Sequence, residues 1–387
     1  MTVARMTGLR IARVAVSERT TWLLVALELD NGVSGLGEAT LDGSIDTVAQ
    51  HLARLGRQGL EASATAADMF ACLPDPQGDL ALAAAVSALD HALNDCLARE
   101  RRMSVANHLG GQRRSKIGLY ANLNRRTVDR SPAGFAASAR DALSAGFAHL
   151  KIAPFDEVFH DPRAEAPARA LDKGLERVAA VRSAMGRDGR LMVDCHWRFT
   201  PSGAGDLIDA CAGLDLHWIE CPLPESAEFI PDIARLRGRA NRKGMLLAGA
   251  ENVVGLAGLE PFLEASAYDV LMPDVKYAGG LATMLRMAER LESAKVRFSP
   301  HNPSGPVAHA ASVEVCSAAG TVDLLEYQFE ESLLFDDLVV APLARAGGEI
   351  ELGRRLGLGV DLKDEILKGA GFVQELTVEE SNVSGVV

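Results

Sequence analysis

RLMVD (190–194), LHWIE (216–220) and MLLAGAE (245–251) are short apolar runs that each end on a carboxylate and each precede a helical stretch. A run of this length, bounded by polar residues and followed by helical periodicity, reads as a parallel strand with its return helix. Five similar units surround them: IGLYA (117–121), AHLKIA (148–153), VLMPD (270–274), VRFSP (296–300) and VDLLE (322–326). Eight successive β-then-α units are what a closed parallel barrel requires. The open doubly wound alternative would carry a GxGxxG phosphate loop after its first strand, and no such loop follows IGLYA.

Upstream the pattern differs. Residues 8–40 alternate like antiparallel strands: Leu9, Ile11 and Val14 precede a polar break, Trp22 to Leu29 runs to the turn Asp30-Asn31-Gly32, and a third run reaches GLGEAT. Residues 45–57 and 80–99 read as helices, and LGG at 109–111 closes the module. The expected organisation is an α+β capping domain over 1–112, a barrel over 113–335, and a C-terminal segment over 336–387 that packs back on the cap.

The 387 residues are 48% apolar, enough for the core of two such domains. A net charge of -12 argues against nucleic acid or an anionic membrane surface as partner. An anionic substrate would then need a local cation, and a metal ion is the simplest one. Cys72, Cys96, Cys195, Cys211, Cys221 and Cys316 form no CxxC pair, which reads as a reduced, cytoplasmic protein. The N-terminal residues lack an apolar signal core. No window is expected to approach the roughly 20 apolar residues that span a bilayer.

In a parallel barrel the C-terminal strand ends share one mouth. The polar residues there are Lys151, Asp194 with His196, Glu220, Glu251 with Asn252, Asp274, His301 and Glu326. Asp194, Glu220 and Glu251 end successive strands, so their charges would converge and repel. A hard divalent cation resolves that repulsion, and Mg2+ suits an all-oxygen ligand set with open positions for substrate. Asp274 and His301 end neighbouring strands, where a carboxylate would hold the imidazole's tautomer and raise its basicity. Lys151 lies across the mouth, and a nearby cation would lower its proton affinity and suit it to act as a base. His196 points the same way as Asp194 and reads as a further proton-transfer group rather than a fourth ligand.

Taken in order, HLKIAP, VDCHWRF, WIECPLPE, AGAENV, MPDVKYAGGL and SPHNPSGPVAHAAS resemble the enolase superfamily, and within it the mandelate racemase subgroup. The resemblance extends from GLGEAT to LLEYQ (324–328). It implies an α/β fold, a modified (β/α)8 TIM barrel with an N-terminal α+β capping domain. It implies metal binding by Asp194, Glu220 and Glu251, acid/base work by Lys151 and the Asp274–His301 pair, and a hydrogen bond from Glu326 to the substrate carboxylate. A muconate-lactonizing enzyme would carry lysine where this chain has Asp274, so Lys276 is given no role. The family's KxK is HLK at 149–151 here, and the 155–174 stretch is unusually long for a barrel turn, which suits a lid or an oligomer contact. DxH at 194–196 resembles acid-sugar dehydratases, where the histidine helps a β-hydroxyl leave.

The expected reaction is removal of the proton next to a carboxylate by His301 or Lys151, through an enediolate, followed by loss of a β-hydroxyl protonated by His196 or His301. A polyhydroxy acid sugar would give a 2-keto-3-deoxy acid. Racemisation or epimerisation of a 2-hydroxy acid is the rival within the family. A non-catalytic sugar-acid binding protein is a rival from another class. A hydrolase with a metal-bound water would more naturally use histidine ligands. Substrate contacts are expected from the loops at Glu18–Thr21 and Ala39–Ser44, with Thr20 among them, and from Asn122, Asn124, Arg125 and Asn252. A homo-oligomer is expected.

Overall fold

A computed structural model describes residues 3–18, 20–158, 168–368 and 372–377. The chain opens with strands β1 (Met6–Ala15), β2 (Thr21–Leu29) and β3 (Ser34–Glu38), followed by helices α1 (Ile45–Glu61), α2 (Ala66–Cys72), α3 (Leu80–Glu100) and α4 (Val105–His108). The three strands form an antiparallel sheet in chain order. The helix α2 is absent from the sequence expectation. Its signal is a capping box, in which Thr65 and Asp68 satisfy each other's backbone N–H groups.

Helix α3 is buried along most of its length and crosses β3 closely. A Cβ at Gly35 or Gly37 would collide with the backbone of Ala92 or Ala88. Length and hydropathy alone would let α3 cross a membrane, contrary to the sequence expectation. The reason for its apolarity is internal: 72% of that window is buried inside the protein.

The barrel strands are β4 (Lys116–Asn122), β5 (Leu150–Ile152), β6 (Leu191–Asp194), β7 (Leu216–Glu220), β8 (Leu246–Gly249), β9 (Val270–Leu271), β10 (Arg297–Phe298) and β11 (Leu325–Gln328). All eight apolar runs therefore contain a strand, although β9 and β10 have only two residues each. Neighbours from β4 to β10 pair in parallel, and β11 pairs β4 in parallel. Between β10 and β11 the ring closes through Asp323 N to Phe298 O (2.8 Å) and Ser299 Oγ to Leu324 O (2.6 Å), not through a regular ladder. The interior is filled by Tyr120, Met192, Trp218, Ala248, Val270 and Met272.

The return helices are α5 (Pro132–Ser144), α6 (Ala168–Met185), α7 (Pro201–Ala210), α8 (Ile230–Asn241), α9 (Gly255–Glu264), α10 (Leu281–Ala294) and α11 (Pro306–Ala318). Of the long β5–α6 connection, residues 159–167 lie outside the described residues, as does Arg19 in the cap loop. The described edges of that connection are tied down, Glu157 by Arg177 (2.6 and 2.7 Å) and Asp156 by Arg130 (2.8 Å).

The C-terminal segment divides between two neighbours. After α12 (Leu334–Asp337), strands β12 (Arg345–Ala346) and β13 (Glu349–Glu351) form a hairpin whose second strand pairs antiparallel with β4. After the hairpin the chain meets the cap over 357–361, through Ser104, Asp95 and Arg99, and then through β14 (Phe372–Thr377), which follows α13 (Asp364–Lys368) and pairs with β1. The expectation that this whole segment packs on the cap is corrected in that respect. The hairpin follows the exposed edge that β4 offers below the barrel.

Candidate active site

Asp194 and Glu220 are the last residues of β6 and β7 and are direct cross-strand neighbours. Glu251 lies two residues past β8, behind Ala250, whose φ is 71°. Cys221, His196 and Trp197 likewise have φ of 44°, 47° and 57°. Left-handed backbone is costly for residues with a Cβ, and it clusters where a fold aims functional groups. Here it turns the chain immediately beside all three carboxylates. The three are buried, and one ligand oxygen from each lies within 4.8 Å of the others.

Each carboxylate faces one proton-carrying side chain. Lys151 Nζ donates to Glu220 Oε1 at 2.5 Å and lies 2.9 Å from Glu326 Oε1. His196 Nε2 is 2.9 Å from Asp194 Oδ2, and its backbone N–H donates to Asp194 Oδ1 at 2.9 Å. His301 Nε2 is 3.6 Å from Glu251 Oε2. On its other side, His301 Nδ1 meets Asp274 Oδ2 at 2.9 Å. That contact joins the ends of the sixth and seventh barrel strands through a parallel bridge between Asp274 and His301.

The electrostatics follow from burial and these partners. Burial, aided by the charge of Asp194, pushes Glu251 up to about 8. Burial also lifts Glu220 well above the usual carboxylate range, although Lys151 opposes it. For Asp194 burial acts upward as well, but the charge and hydrogen bonds of His196 outweigh it and leave the carboxyl below its usual range. Burial works against the Lys151 ammonium, yet Glu220 and Glu326 together raise its proton affinity well above normal. Among the described residues its nearest charges are these two carboxylates.

Glu326 is held by Asn122 Nδ2 (2.6 Å) and by the Asn302 backbone N–H (2.7 Å). Sequence reasoning missed Asn302. It also left Lys276 without a place. Lys276 is buried, and its Nζ donates to Asp274 Oδ2 at 2.5 Å, the same oxygen that faces His301. Burial would raise Asp274, but Lys276 and His301 bring it down to about 2. Trp218 donates its indole N–H to Glu220 Oε2 at 2.9 Å. Asn302 is set by a neighbour on another strand and Lys276 by a local turn, whereas Trp218 precedes Glu220 by two residues on the same strand.

The expected substrate contacts divide. Asn122 reaches the site through Glu326. Asn124 is engaged by Arg130 at 3.2 Å. Arg125 and Thr20 meet each other at 3.1 Å, and Arg125 also binds Asp42 (3.0 Å), Glu331 (3.3 Å) and Pro303 O (3.1 Å). Together they fasten the cap loops to the barrel mouth. Asn252 is exposed and lines a separate cleft with Glu225, between the 73–79 turn of the cap and the loops after β8 and β9.

The triad suits a hard divalent cation. Its donor set is all carboxylate oxygen, and Glu251 Oε2 is buried with no hydrogen-bond partner among the described residues. Such an orphaned oxygen is costly unless something positive fills the place.

Comparison with known proteins agrees with this architecture. A family model described as mandelate racemase / muconate lactonizing enzyme, N-terminal domain, matches residues 1–110, and one described as enolase C-terminal domain-like matches residues 134–366. D-galactonate dehydratase of Ralstonia pickettii is 29% identical over 89% of this chain and 90% of that protein. D-gluconate dehydratase of Thermoproteus tenax is 29% identical over 74% of this chain and 56% of that protein. The crystal structure of a mandelate racemase/muconate lactonizing enzyme from Sulfitobacter sp. superposes with a TM-score of 0.84 at 22% identity, covering 95% of this chain and 97% of that one. The chain belongs to the mandelate racemase/muconate lactonizing enzyme family of the enolase superfamily.

Proposed function

We propose that this protein dehydrates an acid sugar to a 2-keto-3-deoxy acid, using Mg2+ held by Asp194, Glu220 and Glu251. The observation that carries the proposal is the pairing of each triad carboxylate with its own proton carrier: Lys151 with Glu220, His196 with Asp194, and His301 with Glu251. Binding alone would need no such set. Similarity to the galactonate and gluconate dehydratases supports the substrate class.

A cation bound at the triad would stabilise the second negative charge that proton removal places on the substrate carboxylate. The protein's own groups do the rest. His301 is aligned by Asp274, which itself is anchored by Lys276, so its Nε2 faces the triad ready to exchange a proton. Lys151 stands between Glu220 and Glu326, where it carries a proton and a positive charge toward the same space. Glu326, gripped by Asn122 and Asn302, is assigned the wall that faces the substrate carboxylate, and a hydrogen bond between the two requires a proton on one of them. His196 is the group assigned to protonate the departing β-hydroxyl.

A second reading is 1,1-proton transfer. Lys151 on β5 and His301 after β10 approach from strands separated by β6–β9 on one side and by β11 and β4 on the other. Opposed walls of this kind suit an epimerase. Incubation of a mono- and diacid sugar library with Mg2+ in deuterated water, followed by NMR and a keto-acid assay, separates the two. Dehydration predicts a keto acid; α-deuteration with inverted configuration and no keto acid would overturn it.

A further inference from the structure

Behind β11, away from the triad, a cavity of about 250 Å3 opens between α11, α12 and the β12–β13 hairpin. His309, Tyr327, Phe335, Leu343 and Arg345 line it, with Asp336 at its edge. The rings of His309, Tyr327 and Phe335 pack edge to face at 5.4–5.6 Å. They form one aromatic side of the cavity.

The hydrogen bonds around His309 settle which nitrogen carries its proton. Ser312 Oγ donates to Asn302 Oδ1 at 3.2 Å, which orients that amide. Asn302 Nδ2 then donates to Glu326 O at 3.0 Å and to His309 Nδ1 at 2.7 Å. Nδ1 is therefore an acceptor, and the ring proton sits on Nε2. Burial keeps the ring neutral, with its pKa down to about 3. His309 is only 3% exposed, and its Nε2 has no partner among the described residues. Nε2 is itself closed to solvent, so the ring serves as part of the cavity wall.

The accessible donor at the cavity is Arg345, which is exposed. Its guanidinium lies over the rings of Phe147 (4.8 Å) and Tyr327 (5.3 Å), and Nη1 donates to Gly347 O at 2.7 Å. A guanidinium held against two rings keeps its charge beside the cavity, and a carboxylate is the anion that matches its fork of donors. Asp336 is exposed, so solvent screens its repulsion.

We propose that this cavity is a binding site for a small planar carboxylate, with Arg345 as donor and Tyr327 and Phe335 as walls. It is separate from the triad and independent of the reaction assigned there.

The test is a 19F NMR titration of 4-fluorobenzoate into the full chain with chelator present, which removes metal-dependent binding at the triad. Saturable binding with Kd on the order of 1 mM is expected for so few contacts. It should persist in Glu251→Gln, weaken about tenfold in Arg345→Met, and vanish in Leu343→Trp, which fills the mouth. Melting curves of both cavity variants verify that they fold. Absence of saturation would overturn the proposal, as would unchanged affinity in both cavity variants. Loss of binding in Glu251→Gln would place the ligand at the triad instead. Equal binding of neutral 4-fluorobenzyl alcohol would reduce the site to an apolar slot.

Discussion

Two groups of buried acids in this molecule are satisfied in opposite ways. In and around the cap, Asp95 accepts from Leu36 N (2.9 Å), Leu358 N (2.9 Å) and Arg99 Nε (2.8 Å). Glu38 accepts from Gly305 N (2.7 Å), Ala308 N (2.9 Å) and Thr40 (2.8 Å). These partners are mostly backbone N–H groups of other elements, which neither titrate nor move away. At the barrel mouth, Asp194, Glu220 and Glu251 instead face His196, Lys151 and His301, and Oε2 of Glu251 has no hydrogen-bond donor among the described residues. The first arrangement clamps elements together. The second spends stability on groups that can exchange protons and accept a cation. Burial alone does not separate glue from chemistry; the nature of the partner does.

The sharpest way to break this contrast is Glu251→Gln. It should lower kcat/KM at least about 1,000-fold on any substrate found, because it removes a cation ligand. Circular-dichroism melting should show little loss of stability, since no hydrogen bond to Oε2 is sacrificed. An active or unfolded variant would erase the distinction.

Asp95→Ala should do the reverse. It strands two buried N–H groups and Arg99, at a cost of about 3–5 kcal/mol in urea unfolding. Activity per folded molecule should stay within about twofold of the parent.

Asp90 lies between the two kinds, with Leu281 N (2.7 Å) and Asn94 Nδ2 (3.0 Å) donating to the same oxygen. Burial lifts its pKa to about 7, against roughly 4 in the unfolded chain. Below the lower value both states hold the proton and nothing is lost. As pH rises from about 4 to about 7 the unfolded chain releases a proton that the folded one keeps, so stability falls. Asn at this position still accepts both hydrogen bonds. Asp90→Asn should therefore stabilise the protein at about pH 8, on the order of 2–4 kcal/mol, and have little effect near pH 4. Thermal melts of both proteins across this range measure it.

The smallest expected effect is the response to metal. Mg2+ at about 100 times its Kd should add about 2.7 kcal/mol of stability to the parent protein. The same addition should leave Glu251→Gln unmoved, and a thermal-shift series reads both.

Much of the fold was legible because a barrel repeats one simple unit. Each apolar run from IGLYA to VDLLE contains a strand, and the three carboxylates at the ends of the third to fifth units do meet. The misses have specific causes. The capping box before α2 was overlooked. The β12–β13 hairpin carries too few residues to show a period, and it pairs with β4 across more than 200 residues of chain. The partners of Arg125, namely Thr20, Asp42, Glu331 and Pro303, come from distant segments and had no mark in the sequence.

By itself the sequence determined the order of the strands and which side chains end them. Alternation, run length and turn residues are local properties, and barrel closure then brings the ends to one mouth. Only the tertiary structure decided whom each of those side chains meets. Lys151 reaches Glu220 across 69 residues, Lys276 rather than His301 alone anchors Asp274, and Glu251 keeps an oxygen to which no described residue donates a hydrogen bond. Such pairings depend on ångström-scale distances between distant segments, and they set the proton affinities at the site.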